Sequence, residues 1–197
     1  MSKTFSVNIA GATPLAQEEL DDLIPETITT QEELNEWEQR NILEANTWAF
    51  SKKHRDILST TFICVLHKRM FDNVWKWAGH FRNTNKNIGI DWTEIRIELK
   101  KLCDDCSFWL DKQTYSIDGI AARFHHRLVK IHPFPNGNGR HARLIADLIL
   151  VDAGAVQFSW GGGIGRSSDD EIREEYLECL RAADGGNFSP LLKFVRS

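Results

Sequence analysis

A chain of 197 residues, 42% apolar and 26% charged, has ordinary globular composition and enough length to bury a sizeable core. Its net charge of −4 argues against a nucleic-acid binder, which usually carries a basic excess to neutralise phosphates. No stretch approaches the roughly 20 apolar residues that span a bilayer, and the opening MSKTFSVNIAGATPL has no apolar segment resembling a secretory signal, so no membrane partner and a cytoplasmic location are expected.

Residues 1–28 are short on pattern, with Gly11, Pro14 and Pro25 as breaks, and read as an extension wrapped on the surface of a domain spanning 29–197. From Thr29 the text changes to TTQEELNEWEQRNILEANTWAF, an N-cap threonine with glutamates in the first turn. Leu34, Trp37, Ile42, Ala45 and Ala49 mark the inner face of that helix. A second helix follows, with Ile57, Phe62, Val65, Leu66 and Met70 inward. WKWAGHFRNTNKNIGIDW then predicts core tryptophans and a turn with a short β-hairpin around Ile88 and Ile90.

Helical periodicity returns from Glu94 to Leu110. Cys103 and Cys106 fall inside it as C-D-D-C, but no second Cys/His pair stands at zinc-site spacing. Reduced, helix-buried thiols are the expectation for these two. Ser116 and Asp118 offer caps for GIAARFHHRLVKI, whose Ile120, Phe124, Leu128 and Ile131 share a face. Neighbouring His125 and His126 diverge by about 100° on a helix, which favours surface or capping roles over paired metal ligation. HARLIADLILVDAG is apolar nearly all round, as a central buried helix is, and stops at Gly154. The glycine cluster at 161–165 makes a loop, Ser167 or Ser168 caps DDEIREEYLECLRAAD, and Pro190 opens a last short helix. The fold class is all-α with one small hairpin.

Between the helix ending near Ile131 and the apolar one lies HPFPNGNGRHAR. Pro133 and Pro135 stiffen the corner, and Pro133 biases His132 toward extended geometry. Phe134 is expected to anchor inward. Gly137 and Gly139 permit positive φ and a close backbone approach by a ligand. The free N–H groups at the following helix start make an anion site. Arg140 and Arg143, three apart, place two cations where the helix dipole disfavours them by roughly 0.3–1 kcal/mol, which makes sense if a polyanion binds. His132 supplies a ring suited to general-base work. Each feature alone has an ordinary structural reading; together in twelve residues they point to phosphate handling.

The segment 132–143 resembles the Fic-domain signature HxFx[D/E]GNGRxxR at His132, Phe134, Gly137, Asn138, Gly139, Arg140 and Arg143. WAGHFR resembles the family's WAGxxR before its flap, TITTQEELNEWEQ its first helix, and YLECLRAADGGNFSPLLKF its closing helices. The likeness runs from about Ile28 to Phe194, and the wording is also similar to the subset called mobile mystery protein B, found beside a helix-turn-helix partner. It implies the Fic fold, a helical bundle around a central buried helix with a β-hairpin flap. It further implies AMPylation, the transfer of AMP from ATP with Mg²⁺ to a Ser, Thr or Tyr hydroxyl of a target protein. In that scheme His132 is the base. Backbone N–H groups of Gly137, Asn138 and Gly139 hold phosphate oxygens, Arg140 and Arg143 neutralise the leaving group, and Ile88, Gly89 and Ile90 dock the target. Tyr176 would either line the adenine pocket or pack on the apolar face of its helix.

The sequence departs from the family at Asn136, where the pattern has the Asp or Glu that binds Mg²⁺. A neutral amide is a poorer ligand for so hard a cation. The metal would then rest mainly on nucleotide and water; phosphate transfer, or a non-catalytic binding role in a toxin–antitoxin-like pair, are the alternatives. The first is favoured because both glycines and both arginines are intact, whereas the family's phosphorylating members differ there. The family's inhibitory pattern [S/T]xxxE[G/N], whose Glu pairs with the second arginine, is approached at Thr29–Glu33 and Ser167–Glu171 but misses its last residue both times. An inhibitor acting in trans is therefore expected.

Overall fold

The computed structural model describes residues 20–54, 56–162 and 169–197. Residues 1–19 of the expected extension, residues 163–165 of the glycine cluster and the Ser167 or Ser168 cap lie outside the described residues. Among those described are seven α-helices: α1 Gln31–Phe50, α2 Thr60–Phe71, α3 Ile95–Lys112, α4 Ile117–Ile131, α5 Asn138–Asp152, α6 Asp169–Asp184 and α7 Ser189–Val195. The all-α architecture is as the sequence predicts.

Helix α1 begins with a capping box. The Thr30 hydroxyl accepts the Glu33 N–H at 3.2 Å, and the Glu33 carboxylate accepts the Thr30 N–H at 3.0 Å. Leu34, Ala45 and Ala49 face inward as expected. Trp37 does not: it is 37% exposed. The register turns Glu38 and Asn41 inward instead, each bonded where it is buried. Asn41 donates to the Arg69 carbonyl at 2.9 Å and accepts the Asn73 N–H at 3.0 Å. Val65 of α2 is likewise 39% exposed rather than part of the inner face. The N-terminal stretch crosses the turn after α2, with Ile24 N–H to Val74 O at 2.8 Å and Lys76 N–H to Asp22 O at 3.0 Å, and Ile28 is fully buried.

Helix α5 runs through the middle of the bundle, packed chiefly on α4 and also on α1 and α2. Its buried residues include Ala142, Leu144, Ile145, Ala146, Leu148, Ile149 and Leu150. His141 is buried on the same helix and bonds the Ile63 carbonyl at 2.9 Å, with burial holding its ring down at about 3. Cys103 and Cys106 are free, buried thiols of α3, pushed up to about 11 and about 12 by burial. That is inert core chemistry.

The expected β-hairpin is corrected. Between Arg82 and Asp91 the chain reverses without a backbone ladder. Side chains close the reversal: Asn85 accepts the Trp92 N–H at 2.9 Å and donates to Asp91 at 3.2 Å. The Arg82 guanidinium spans both limbs, bonding Thr84 O at 2.8 Å and Ile90 O at 2.5 Å. Carbonyls that could accept N–H groups across a hairpin are thus taken by one guanidinium.

Candidate functional site

Helix α4 ends at His132, which adopts φ 53, ψ 60. The expected extended geometry is overturned. Pro133 does stop the helix, but the chain must turn sharply to enter the loop, and the left-handed conformation accomplishes that. What holds a non-glycine residue there is Arg82. Its Nε donates to His132 O at 2.7 Å, its Nη2 to Ile131 O at 3.4 Å, and its own backbone N–H to Pro133 O at 2.9 Å. A cation on the orphan carbonyls of a helix C-terminus is favourable both as a cap and to the dipole. Arg82 is nearly fully buried. The same guanidinium binds Ile90 O, so one side chain joins the histidine, the helix end and the flap.

The His132 ring is buried, and burial together with the neighbouring Arg82 cation lowers it to about 4, against a backbone hydrogen bond to Val129 that pulls the other way. It is therefore neutral, and able to accept a proton, at neutral pH. Gly89 lies directly on it: a Cβ at Gly89, φ +96, would sit 2.7 Å from the His132 Cβ. Of the expected docking residues, Gly89 is thus brought against His132, Ile90 is half-buried and tied to the same Arg82, and Ile88 is exposed.

Beyond His132 the loop is closed from inside. Phe134 is fully buried and stacked on His67, ring centroids 3.7 Å apart. Asn138 accepts the Phe134 N–H and donates to the Phe134 carbonyl, both at 2.9 Å. His67 accepts the Gly79 N–H at 3.0 Å through Nδ1 and faces Asn136 O through Nε2 at 3.0 Å. With Nδ1 accepting, the proton sits on Nε2, so this buried neutral ring donates to the loop. Gly137 caps α5 at φ 77, pressed on Phe71.

The phosphate-binding expectation divides here. The N–H groups of Asn138 and Gly139 open α5 and lack acceptors within the helix. The Gly137 N–H is instead taken by the Asn136 side-chain oxygen at 2.5 Å. The two arginines are tied to different walls. Arg140, 39% exposed, bonds Glu38 of α1 at 2.6 Å and lies 5.0 Å from the Phe71 ring. Arg143 lies 4.6 Å from the Tyr176 ring and 5.7 Å from that of Trp160, and its Nε is buried with no hydrogen-bond partner among the described residues.

Tyr176 packs rather than lining a pocket: it is buried, with its hydroxyl 2.8 Å from His125 Nε2. His125 and His126 are corrected from surface or capping roles to buried ones, His126 facing Asp184 at 3.2 Å. Beside the C-terminal end of α4, between the flap and the C-terminal end of α6, a cleft of about 450 Å³ is lined by Ile90, Ile131, Trp109, Arg123, Asp184 and Phe188, among others. As a magnesium ligand Asn136 fits poorly, its oxygen being neutral and already an acceptor. No group of three His, Cys, Asp or Glu side chains able to hold a metal occurs among the described residues.

Sequence reasoning missed Arg82 and Glu38. The first had a signal, as the terminal arginine of WAGHFR; the second had none beyond its place on α1.

Residues 57–150 match the Fic/DOC family. Protein adenylyltransferase fic-1 of Caenorhabditis briggsae is 33% identical over 155 residues, which are 76% of this chain and 29% of that protein. Its namesake in Caenorhabditis elegans is 33% identical over 158 residues, 28% of its length. The chain thus spans under a third of these curated relatives. Among solved structures, Fic-1 (residues 134–508) from C. elegans superposes with TM-score 0.67 at 26% identity, covering 99% of this chain and 58% of that one. The N-terminal Fic domain of a VirB-translocated Bep effector from Bartonella quintana gives TM-score 0.70 at 17% identity, covering 92% of each chain, and shares the fold.

Proposed function

Since this chain belongs to the Fic/DOC family through its match over residues 57–150, we propose that it transfers AMP from ATP to a Ser, Thr or Tyr hydroxyl of a target protein. The observation that carries this reading is the single joint that holds a neutral, clamped His132 against the flap and opens α5 with unbonded first-turn amides. The domain is taken as residues 29–197, and the Glu38–Arg140 contact supports counting α1 within it.

In the proposed step His132 takes the proton of the acceptor hydroxyl. The hydroxyl oxygen attacks the α-phosphorus in line, the bond to the bridging oxygen of the β-phosphate breaks, and pyrophosphate leaves. The Asn138 and Gly139 amides, backed by the α5 dipole, hold phosphate oxygens as charge shifts. Arg140 and Arg143 would supply the cations that neutralise the leaving group. The phosphates in turn favour a charged ring, which raises His132 toward the working range of a base. Ile88–Ile90 would receive an extended target segment. The cleft beside Ile90 and Ile131 offers room for the nucleoside, with Trp109 and Phe188 as apolar walls. Mg²⁺ would arrive with the nucleotide, held by its phosphates and water, with Asn136 at most a weak ligand.

Incubation with lysate and ATP labelled at the α or γ position tests the reading. Protein-bound label from α is expected; label from γ alone would mean phosphate transfer, which Asn136 keeps as the second reading, and none would leave a binding role. Asn136→Asp should raise the transfer rate and steepen its dependence on Mg²⁺, since a carboxylate binds the metal better and the backbone bond to His67 is kept. A titration with Mg²⁺ that does not differ from the unsubstituted protein removes residue 136 from metal binding.

An inhibitor in trans also belongs to this proposal. Glu33, the nearest match to the family's inhibitory glutamate, spends its carboxylate on Thr29 and Thr30 and is held below the usual carboxylate range by those bonds. Adding the neighbouring gene's product is expected to suppress labelling; undiminished labelling removes that partner. Four free thiols fit the reducing cytoplasm proposed as its location.

A further inference from the structure

Among the described residues, Glu38, from outside the family-matched segment, reaches Arg140 of the site with its carboxylate. Its carboxylate is nearly buried, with Oε2 2.6 Å from Arg140 Nη1 and Oε1 accepting the Trp75 indole N–H at 2.7 Å. Trp75 is itself fixed, fully buried and stacked on Trp77 at 5.0 Å. On its other side the Arg140 guanidinium lies 5.0 Å from the Phe71 ring, the ring against which Gly137 is pressed. Arg140 is therefore held by a carboxylate and an aromatic ring at the foot of the α5 amide cradle.

A nearly buried carboxylate with one cationic partner does not release it readily, because separation leaves an uncompensated charge out of water. Arg140 accordingly cannot swing away to follow a phosphate. One edge of its fork is occupied by Glu38, and the remaining donors are left for a ligand. Glu38 also puts a negative charge beside a site meant for a polyanion, which weakens ground-state attraction for the triphosphate. Those two effects have opposite signs in binding and in turnover.

We infer that Glu38 is a positioning residue for Arg140, which trades nucleotide affinity for alignment of the leaving pyrophosphate. The inference rests on the proposed adenylyl transfer. Glu38→Gln keeps the shape and an acceptor for Trp75 while removing the charge, leaving the Arg140 charge uncompensated and the side chain less constrained. It is expected to lower KM for ATP severalfold and to lower kcat by about tenfold. Glu38→Asp keeps the charge and should lie nearer the parent in KM. A purely structural role would reduce the active fraction, and so apparent kcat, with KM unchanged; that result overturns the inference.

Calorimetric titration with AMPPNP separates the two levels of the reading. Binding to the parent protein and tighter binding to Glu38→Gln supports the role of Glu38. Equal binding by both, with transfer otherwise as proposed, overturns Glu38 alone. No binding to the parent protein overturns adenylyl transfer and the role of Glu38 with it.

Discussion

Replacing His132 with alanine is expected to abolish transfer while the fold persists. A positioned general base contributes typically 10²–10⁴-fold, so labelling should fall by at least about two orders of magnitude. The contacts that shape the corner are backbone ones, Arg82 to the carbonyls of Ile131, His132 and Pro133, and all survive the substitution. Circular dichroism and thermal unfolding should therefore remain near those of the parent protein. The pH dependence carries a second signature. Burial and Arg82 bring the free ring down to about 4, so its neutral, basic form is lost only as pH falls through that value. The profile of kcat/KM, which reports the free enzyme, should stay flat from pH 8 to about 5 as far as this group is concerned. The profile of kcat reports the nucleotide-bound enzyme, where phosphates raise the ring, and should bend at higher pH. Transfer that survives in His132→Ala would remove the residue from the chemistry.

Two glycines of the same loop should respond in opposite ways to one added methyl. Gly137 holds φ 77, and a Cβ there would meet Phe71 Cζ at 2.4 Å. Left-handed strain and the clash with a packed ring together cost about 2–4 kcal/mol. Gly137→Ala should lower the urea midpoint accordingly, and with it the cap of α5 and the anion cradle. Phe71 cannot yield cheaply, since it is fully buried and braces Arg140 as well. Gly139 sits one residue into α5 with nothing within 4 Å of its would-be Cβ. Gly139→Ala should leave stability unchanged or slightly raised, as alanine favours helix by about 1 kcal/mol over glycine. Its methyl would stand by the first-turn amides, so nucleotide affinity should fall without loss of fold. Parallel denaturation and AMPPNP titrations of the two variants check the contrast.

Much of this was legible in local sequence because it is governed by local rules. Thr30 and Ser116 cap their helices with side-chain oxygens on nearby N–H groups, as their positions before apolar periodic runs foretold. The α5 run is apolar on most faces because it is buried on most faces. The cluster from His132 to Arg143 was visible as chemistry because its members lie within twelve residues. What escaped was settled by contacts distant in sequence. His132 is left-handed although Pro133 favours extension, because Arg82, fifty residues earlier, takes the carbonyls that the turn exposes. The flap lacks a ladder because that same side chain spans its limbs. Trp37 was expected inside on apolar character alone, but Glu38 takes the inward position because Trp75 and Arg140 await it. A lone glutamate in a charged helix face gives no sign of a partner 102 residues on.

The Arg82 bracket has a consequence for how such a protein can diversify. Thr84 O and Ile90 O are fixed at the two ends of the flap by one guanidinium, and Asn85 ties the first limb to Asp91 and Trp92 of the second. The exposed positions in between, Asn87 and Ile88, contribute none of those closing bonds. Their side chains can be rewritten for charge, bulk or length while the bracket keeps the histidine corner in register. Innovation in what the flap recognises is thereby uncoupled from the geometry beneath it, and a lineage could change its clients without rebuilding its catalyst.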